Sequence, residues 1–456
     1  MSRIAYALTV AMVLALSAQN PVLAGSLAPP AAATTFSPDD VSWLFPAPVK
    51  AQDFINLIAV EDLTAPDPAD KSKVVPLWSV FPQFVQVVTG PAGQVEGTQD
   101  RITFPAEVQK IDAWFVAGIR IDPGAPGLSH DIVSQFGQSP QIRLIVQPVT
   151  KAPDGSPVVH DIAAHLIFSF KRADAQPPAQ PGCFPPAFPD LARWQSIVAD
   201  IAALKRKLAA GQFGAAVATD GRALGVHPGL ANTSTHVALV KAMKAFLLHQ
   251  LPAGQLNAMA VVSVPDPAPK PWIFLSLLNV PNVGVLPVHG PTLNGRQFAQ
   301  ELRAASDTPP RVFPVPSPNN LSSMTCMSAA SPPFVDNPPI ASRKGHATAE
   351  IFASPNMSAA DAQQIVDLVS DPDRSHFFNT DCVSCHTETT LVKSHNLTIP
   401  MPVDPAAIAD GSWDVRNFGW TATEGPTPSK ASVTRRAANE TTEVVKFINP
   451  TIAPHL

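Results

Sequence analysis

The chain has 456 residues, of which 45% are hydrophobic and 51 are proline, and a net charge of −5. That much apolar material excludes a mostly disordered protein, and the length allows roughly two to four ordinary domains. No Lys/Arg block is dense enough to track phosphates, which argues against nucleic-acid binding, and the single tyrosine, Tyr6, leaves no phenol chemistry for the rest of the chain.

In chain order, the first 24 residues read as a cleaved secretory peptide. Arg3 is the basic start, Ile4 to Leu16 the apolar stretch, and Val22-Leu23-Ala24 the small-residue cleavage signal. The apolar run is well short of the ~20 residues that cross a bilayer as a helix, although an uncleaved anchor stays open as an alternative. No later stretch is long and apolar enough to span. The expectation is an exported protein located in the periplasm, with no transmembrane segment in the mature chain.

Residues 25–171 are strand-like. "VFPQFVQVVTG", "AWFVAGIRID", "QIRLIVQPVT" and "VVHDIAAHLIFSF" are rich in Val, Ile and Phe and separated by turn residues, which predicts an antiparallel β-sandwich-like domain. His160 and His165 fall in its last strand pattern on opposite faces, a poor metal pair.

Residues 172–340 mix types. "FPDLARWQSIVADIAALKRKLAAG" and "NTSTHVALVKAMKAFLLHQLPAG" carry apolar residues at helical spacing, and "NAMAVVSV" and "WIFLSLLNV" read as strands. His236 and Met243 share a helical face, which core packing explains better than ligation. The loops "GRALGVHPG" and "HGPTLNG" lack the strand-to-helix context of a phosphate site. Proline-rich connectors flank this mixed α/β region and hold Cys183 and Cys326, which a disulfide would join across the loop between them; two unpaired buried thiols are the plainer alternative.

Residues 341–456 are expected to be mostly α. "NMSAADAQQIVDLVSDP" predicts a helix that starts after Ser358 and stops at Pro372, and "SKASVTRRAANETTEVVKFINP" predicts a terminal helix ended by Pro450, with Val433, Ala437, Val444, Phe447 and Ile448 as its apolar stripe. Between them, "FFNTDCVSCHTETT" sets Cys382, Cys385 and His386 in a C-x-x-C-H array. That spacing lets two sulfurs reach the two vinyl groups of one haem while the adjacent imidazole reaches the iron. A closed zinc site would need further ligands, with His376 and His395 the nearby candidates. A redox dithiol would normally follow a strand in a βαβ unit, a context absent from these flanks.

With its motif set between a first and a terminal helix, this last quarter of the chain resembles the single-haem bacterial c-type cytochromes. The resemblance implies one covalent haem c held by Cys382 and Cys385, His386 as proximal iron ligand, and the two helices packed together. It also implies a downstream methionine as sixth ligand. Met401, between Pro400 and Pro402, fills that role, although it follows His386 at a shorter distance than the family's usual loop; His395 is the alternative, and Met357, His376 or an open site are further ones. Phe377, Phe378, Trp413, Phe418 and Trp420, with Leu391, Leu397 and Ile399, are candidate haem-wall side chains. Arg416, Arg435, Arg436 and the Trp420 indole N–H are candidate propionate partners.

From 345 to 456 there are seven basic and thirteen acidic residues. The excess is either a solvated face or a docking surface for a basic redox partner protein. The whole reads as a multidomain α+β protein whose function is one-electron transfer rather than catalysis. The alternatives are a haem enzyme or a gas or peroxide sensor with an open iron, or a binding protein with an accessory haem.

Overall fold

The computed structural model describes residues 35–67, 69–93, 101–122, 141–170, 191–251, 253–263, 273–287, 292–293, 296–297, 358–372, 388, 392, 395–398, 403–407, 417–423, 425–451 and 453. They form a mixed α/β fold built on one large antiparallel sheet with several helices.

A short helix α1 (Pro38–Val41) leads into strand β1 (Ser42–Leu44), and the small hairpin β2 (Thr64–Pro66) and β3 (Val74–Pro76) precedes helix α2 (Phe81–Thr89). Next come β4 (Trp114–Asp122), β5 (Gln141–Lys151), β6 (Pro157–Val159) and β7 (Ile162–Ser169). Helices α3 (Leu191–Ala209), α4 (Pro228–Ala231) and α5 (His236–Gln250) separate these from β8 (Leu256–Ser263), β9 (Ile273–Val280) and β10 (Gly284–Pro287). The two-residue strands β11 (Thr292–Leu293) and β12 (Arg296–Gln297) pair with each other; then follow α6 (Ala359–Val369), β13 (Phe418–Trp420), β14 (Ala431–Val433) and α7 (Arg435–Thr451). The eight-stranded sheet has the order β1-β4-β5-β7-β8-β9-β10, with β6 paired to the end of β5.

Both faces of the sheet are covered, which explains why β4, β5 and β7 read as nearly continuous apolar runs. Residues opposite one another across antiparallel strands share a face. Trp43, Ile119, Leu144, Leu166 and Met259 are paired in register and line one face. Against it pack Trp78, whose indole N–H donates to Met259 Sδ at 3.2 Å, and α5, whose Phe246 ring meets Trp43 edge-on at 5.2 Å. Each such fully buried large side chain contributes roughly 1.5–3 kcal/mol. The opposite face carries Ser42, Arg120, Arg143, Ile167 and Ala258. The C-terminal segment covers part of it: Gln147 bonds Trp420, Arg120 meets Glu440 at 2.8 Å, and Ser42 bonds Thr441 at 2.9 Å.

Several sequence expectations change here. The strands expected to form a sandwich lie edge to edge in one sheet, and β7 pairs with β8 across the proline-rich 172–190 stretch, so strands from both expected N-terminal units share that sheet. No second sheet is needed because helices and the C-terminal segment bury the two faces. "FPQFVQVVT" is a helix, α2, rather than a strand. Phe81, Phe84 and Val88 turn inward at i, i+3 and i+7, and Pro82 sits in the first turn where no amide hydrogen is required. Val433 belongs to β14, not to the terminal helix stripe, and that helix includes Pro450 in its last turn. As expected, Ser358 sits just before α6, its carbonyl accepting the Ala362 N–H at 3.0 Å. Among the described residues, no helix is long and apolar enough to cross a membrane.

Candidate functional site

Cys382, Cys385, His386 and Met401 lie outside the described residues, as do Cys183, Cys326, Met357, His376 and Arg416. His395 is described and half-buried, in a turn that the Leu397 N–H closes on the Val392 carbonyl at 2.9 Å. What the structure defines is the frame on either side of the proposed ligands.

The first anchor is Glu388, two residues after His386. Its carboxylate is fully buried and accepts the backbone N–H of Arg435 at 2.5 Å and of Arg436 at 3.0 Å. A helix leaves its first four N–H groups without intrahelical partners. In α7 Glu388 takes two of them, the Thr434 hydroxyl accepts the Ala437 N–H at 3.3 Å, and the Thr434 N–H donates to the Asn417 carbonyl at 2.9 Å. Burial pushes the Glu388 carboxyl up to about 7, against the opposing pull of the two amides and of the Arg435 and Arg436 charges.

The same helix grips the end of α6. Arg435 donates through Nε to Ser370 Oγ at 2.8 Å and forms an ion pair with Asp367, while Asn439 donates to the Ser370 carbonyl at 2.7 Å. Arg436 pairs with Glu440 at 2.5 Å.

The second anchor lies two residues beyond Met401. Val403 pairs in parallel with Leu224, and the Asp404 N–H donates to the Leu224 carbonyl at 2.9 Å. That stretch is tied to the sheet, because Val226 pairs with Leu44 and the His227 N–H donates to the Leu44 carbonyl at 3.0 Å. Gly225 is required by this close approach: a Cβ there would come within 2.6 Å of the Asp404 side chain. His227 is fully buried, and burial first, then the Arg222 charge, lowers it to about 3, leaving a neutral ring whose Nδ1 accepts the Gly229 N–H at 3.2 Å.

Next to this ladder, α1 holds two buried carboxylates in contrasting states. Asp40 is satisfied by Lys205 at 2.8 Å, Thr219 Oγ1 at 2.8 Å and the Ser37 N–H at 2.7 Å. Asp39 has Arg222 at 3.4 Å and no hydrogen bond to either oxygen among the described residues; burial pushes it up to about 7 despite that guanidinium. One cavity of about 10 Å³ lies beside Asp40 and His227, and another beside Arg120 and Gln141. Each has room for about one water and for nothing the size of a substrate.

Other sequence candidates are placed clearly. The Trp420 indole N–H donates to the Phe45 carbonyl at 2.9 Å, and Phe418 packs over Gly118, so both are spent on joining the C-terminal segment to the sheet. Arg435 and Arg436 are committed to Asp367, Ser370 and Glu440. His160 and His165 are held apart, the first on Thr150 Oγ1 at 2.8 Å and the second at 3.3 Å from the Arg143 guanidinium. Met243 is core, while His236 contacts the Leu230 and Asn56 carbonyls. Sequence reasoning missed Glu388, Glu440 and Asp39, because a buried carboxylate has no local signature that separates it from an exposed one. Among the described residues, no group of three or more His, Cys, Asp or Glu side chains is arranged to hold a metal ion. No family model, curated protein or solved structure matches the chain.

Proposed function

We propose that this chain is an exported c-type cytochrome with one covalent haem, its cytochrome c-like module lying in residues 341–456, and that it transfers single electrons. The observation that carries this reading is the donor set of Cys382, Cys385 and His386, whose types and spacing fit thioether attachment and proximal ligation. Cys382 and Cys385 would hold the haem covalently, and His386, together with Met401 or His395, would ligate its iron. When bound, the haem supplies a ferrous–ferric couple.

The chain's own contribution is to present these ligands from fixed flanks. Glu388 is tied to α7 and Val403 to Leu224, each two residues from a proposed ligand. Arg435 and Asn439 of α7 bond Ser370, just past the end of α6, which ties the end of one helix to the start of the other. The acidic excess of 345–456 fits a basic redox partner protein, and the N-terminal apolar stretch fits export to the periplasm.

The test is a visible spectrum of the full chain, exported with cytochrome c maturation machinery, recorded oxidised and reduced, with and without CO. A haem that survives denaturation, gives low-spin bands unmoved by CO and loses a methionine–iron band in Met401→Ala is the expected result. A high-spin spectrum that shifts with CO would replace electron transfer with open-iron chemistry. No covalent haem at all would overturn the reading.

A further inference from the structure

We propose that Arg120 and Arg143, on the face of the large sheet that the C-terminal segment covers, hold one monatomic anion, chloride or another halide, in the cavity beside α7. All groups of this site lie among the described residues, and it does not depend on the proposed haem.

Strand pairing sets Arg120 of β4 directly opposite Arg143 of β5. Like charges in that relation cost stability unless a negative charge lies close to both. Their partners are unequal. Arg120 pairs with Glu440, which also takes Arg436. Arg143 has no ion pair among the described residues and makes one hydrogen bond there, to His165 Nδ1 at 3.3 Å. To accept that bond Nδ1 must be unprotonated, so His165 brings no negative charge, and a guanidinium has five N–H donors to satisfy. Burial first, then the Arg120 charge, lowers Arg143 to about 10 against the pull of Glu440 and Asp122, so it remains a cation at neutral pH.

Both arginines line the cavity of about 10 Å³, with Ser42, Asp122, Gln141 and Val444 of α7 on its other walls. Room for about one water is room for one monatomic anion, and too little for sulfate or phosphate. The arginines are the charged donors. Ser42 spends its hydroxyl proton on Thr441, whose own proton goes to the Ala437 carbonyl at 2.8 Å. Asp122 acts on Arg143 by its charge without a direct ion pair, and a negative wall disfavours a multiply charged ligand. An anion here offsets the charge on Arg143 that Glu440, shared by two other arginines, leaves uncompensated. It thereby strengthens the seat of α7 on the sheet.

The test uses the full-length protein with Arg143→Gln and Arg143→Lys. The urea unfolding midpoint is followed as sodium chloride replaces sodium gluconate at constant ionic strength, and the chlorine NMR linewidth is titrated with protein and then with bromide. The wild-type midpoint should rise with the logarithm of chloride concentration once the site fills, and the chlorine line should broaden until bromide competes the effect away. Arg143→Gln should bind chloride about 10- to 100-fold more weakly, with Arg143→Lys between it and wild type. If Arg143→Gln does not accumulate, Arg143→Lys carries the same comparison. A wild-type midpoint equal in chloride and gluconate, with no broadening that bromide removes, overturns the site. So does a chloride response of the same size in Arg143→Gln, which would place the ion elsewhere, at an iron for instance. Stabilisation through Arg143 by sulfate and not by chloride would overturn the monatomic assignment.

Discussion

Phe418 occupies the space that a side chain on Gly118 would need. A Cβ on Gly118 would lie 2.6 Å from Phe418 Cε1 and 2.9 Å from Cδ1, closer than carbon atoms approach without displacement. The glycine in the middle of β4 is thus explained by a contact made 300 residues away. Gly118→Ala is expected to cost about 1–3 kcal/mol in urea unfolding. Phe418→Leu should recover part of that loss in the double variant, and strict additivity of the two substitutions would refute the contact as the cause.

Gln147 and Trp420 form a reciprocal pair. The Gln147 amide donates to the Trp420 carbonyl at 2.9 Å and its oxygen accepts the Trp420 N–H at 2.6 Å, extending a strand-like ladder from a buried side chain. Gln147→Leu keeps similar bulk but leaves two buried backbone groups without partners. A loss of about 2–4 kcal/mol is expected, with the intrinsic fluorescence of buried Trp420 shifting to longer wavelength before global unfolding. An unchanged unfolding midpoint would show that the pair is dispensable.

The Arg120–Glu440–Arg436 group should govern acid stability. Burial alone would raise the Glu440 carboxyl, but the Arg436 and Arg120 charges overcome it and lower it to about 2. A carboxyl depressed in the folded state stabilises the protein above its unfolded pKa, and that stabilisation fades as pH falls through the folded one. Wild type should lose roughly 2–4 kcal/mol between about pH 5 and pH 2 from this group. Glu440→Gln should lack that acid limb and be about 3–5 kcal/mol less stable at neutral pH, where two arginines lose their partner. Parallel pH profiles for the two proteins would rule out this role.

Asp39 should act in the opposite direction. Its carboxyl is raised, by burial first, against Arg222 and together with the neighbouring Asp40 and Asp404 charges. Below about pH 4 both folded and unfolded states carry the proton. Between about pH 4 and 7 only the folded state does, so stability falls as pH rises and levels off above 7. The advantage of Asp39→Asn over wild type should therefore be roughly 1–3 kcal/mol larger at pH 8 than at pH 5, measured by denaturant titration. A difference independent of pH would mean that Asp39 ionises at its ordinary value.

The strands at 114–122, 141–151 and 162–169 and the helices at 191–209 and 236–250 were legible because their signals are local: β-branched runs between turn residues, or apolar residues at helical spacing. The helix at 81–89 was not. Its Val and Phe content looks strand-like, and only the seat that Trp78 and Trp114 provide for Phe81 and Phe84 selects the helical period. Sheet continuity was also hidden, since nothing in the 172–190 stretch signals that β7 and β8 will be neighbours.

The amino-acid sequence by itself determined the chemistry proposed for this protein, because thioether attachment depends on cysteine spacing within five consecutive residues. It also determined most element types, which follow from short-range periodicity. Only the tertiary structure decided that strands from both sides of the proline-rich joint build one sheet, and that the C-terminal segment closes its second face through Phe418, Trp420 and Glu440. It alone decided which carboxylates are buried and what neutralises them. Those outcomes depend on charges and surfaces far apart in the chain, whose burial is favourable only when their partners arrive at the same place.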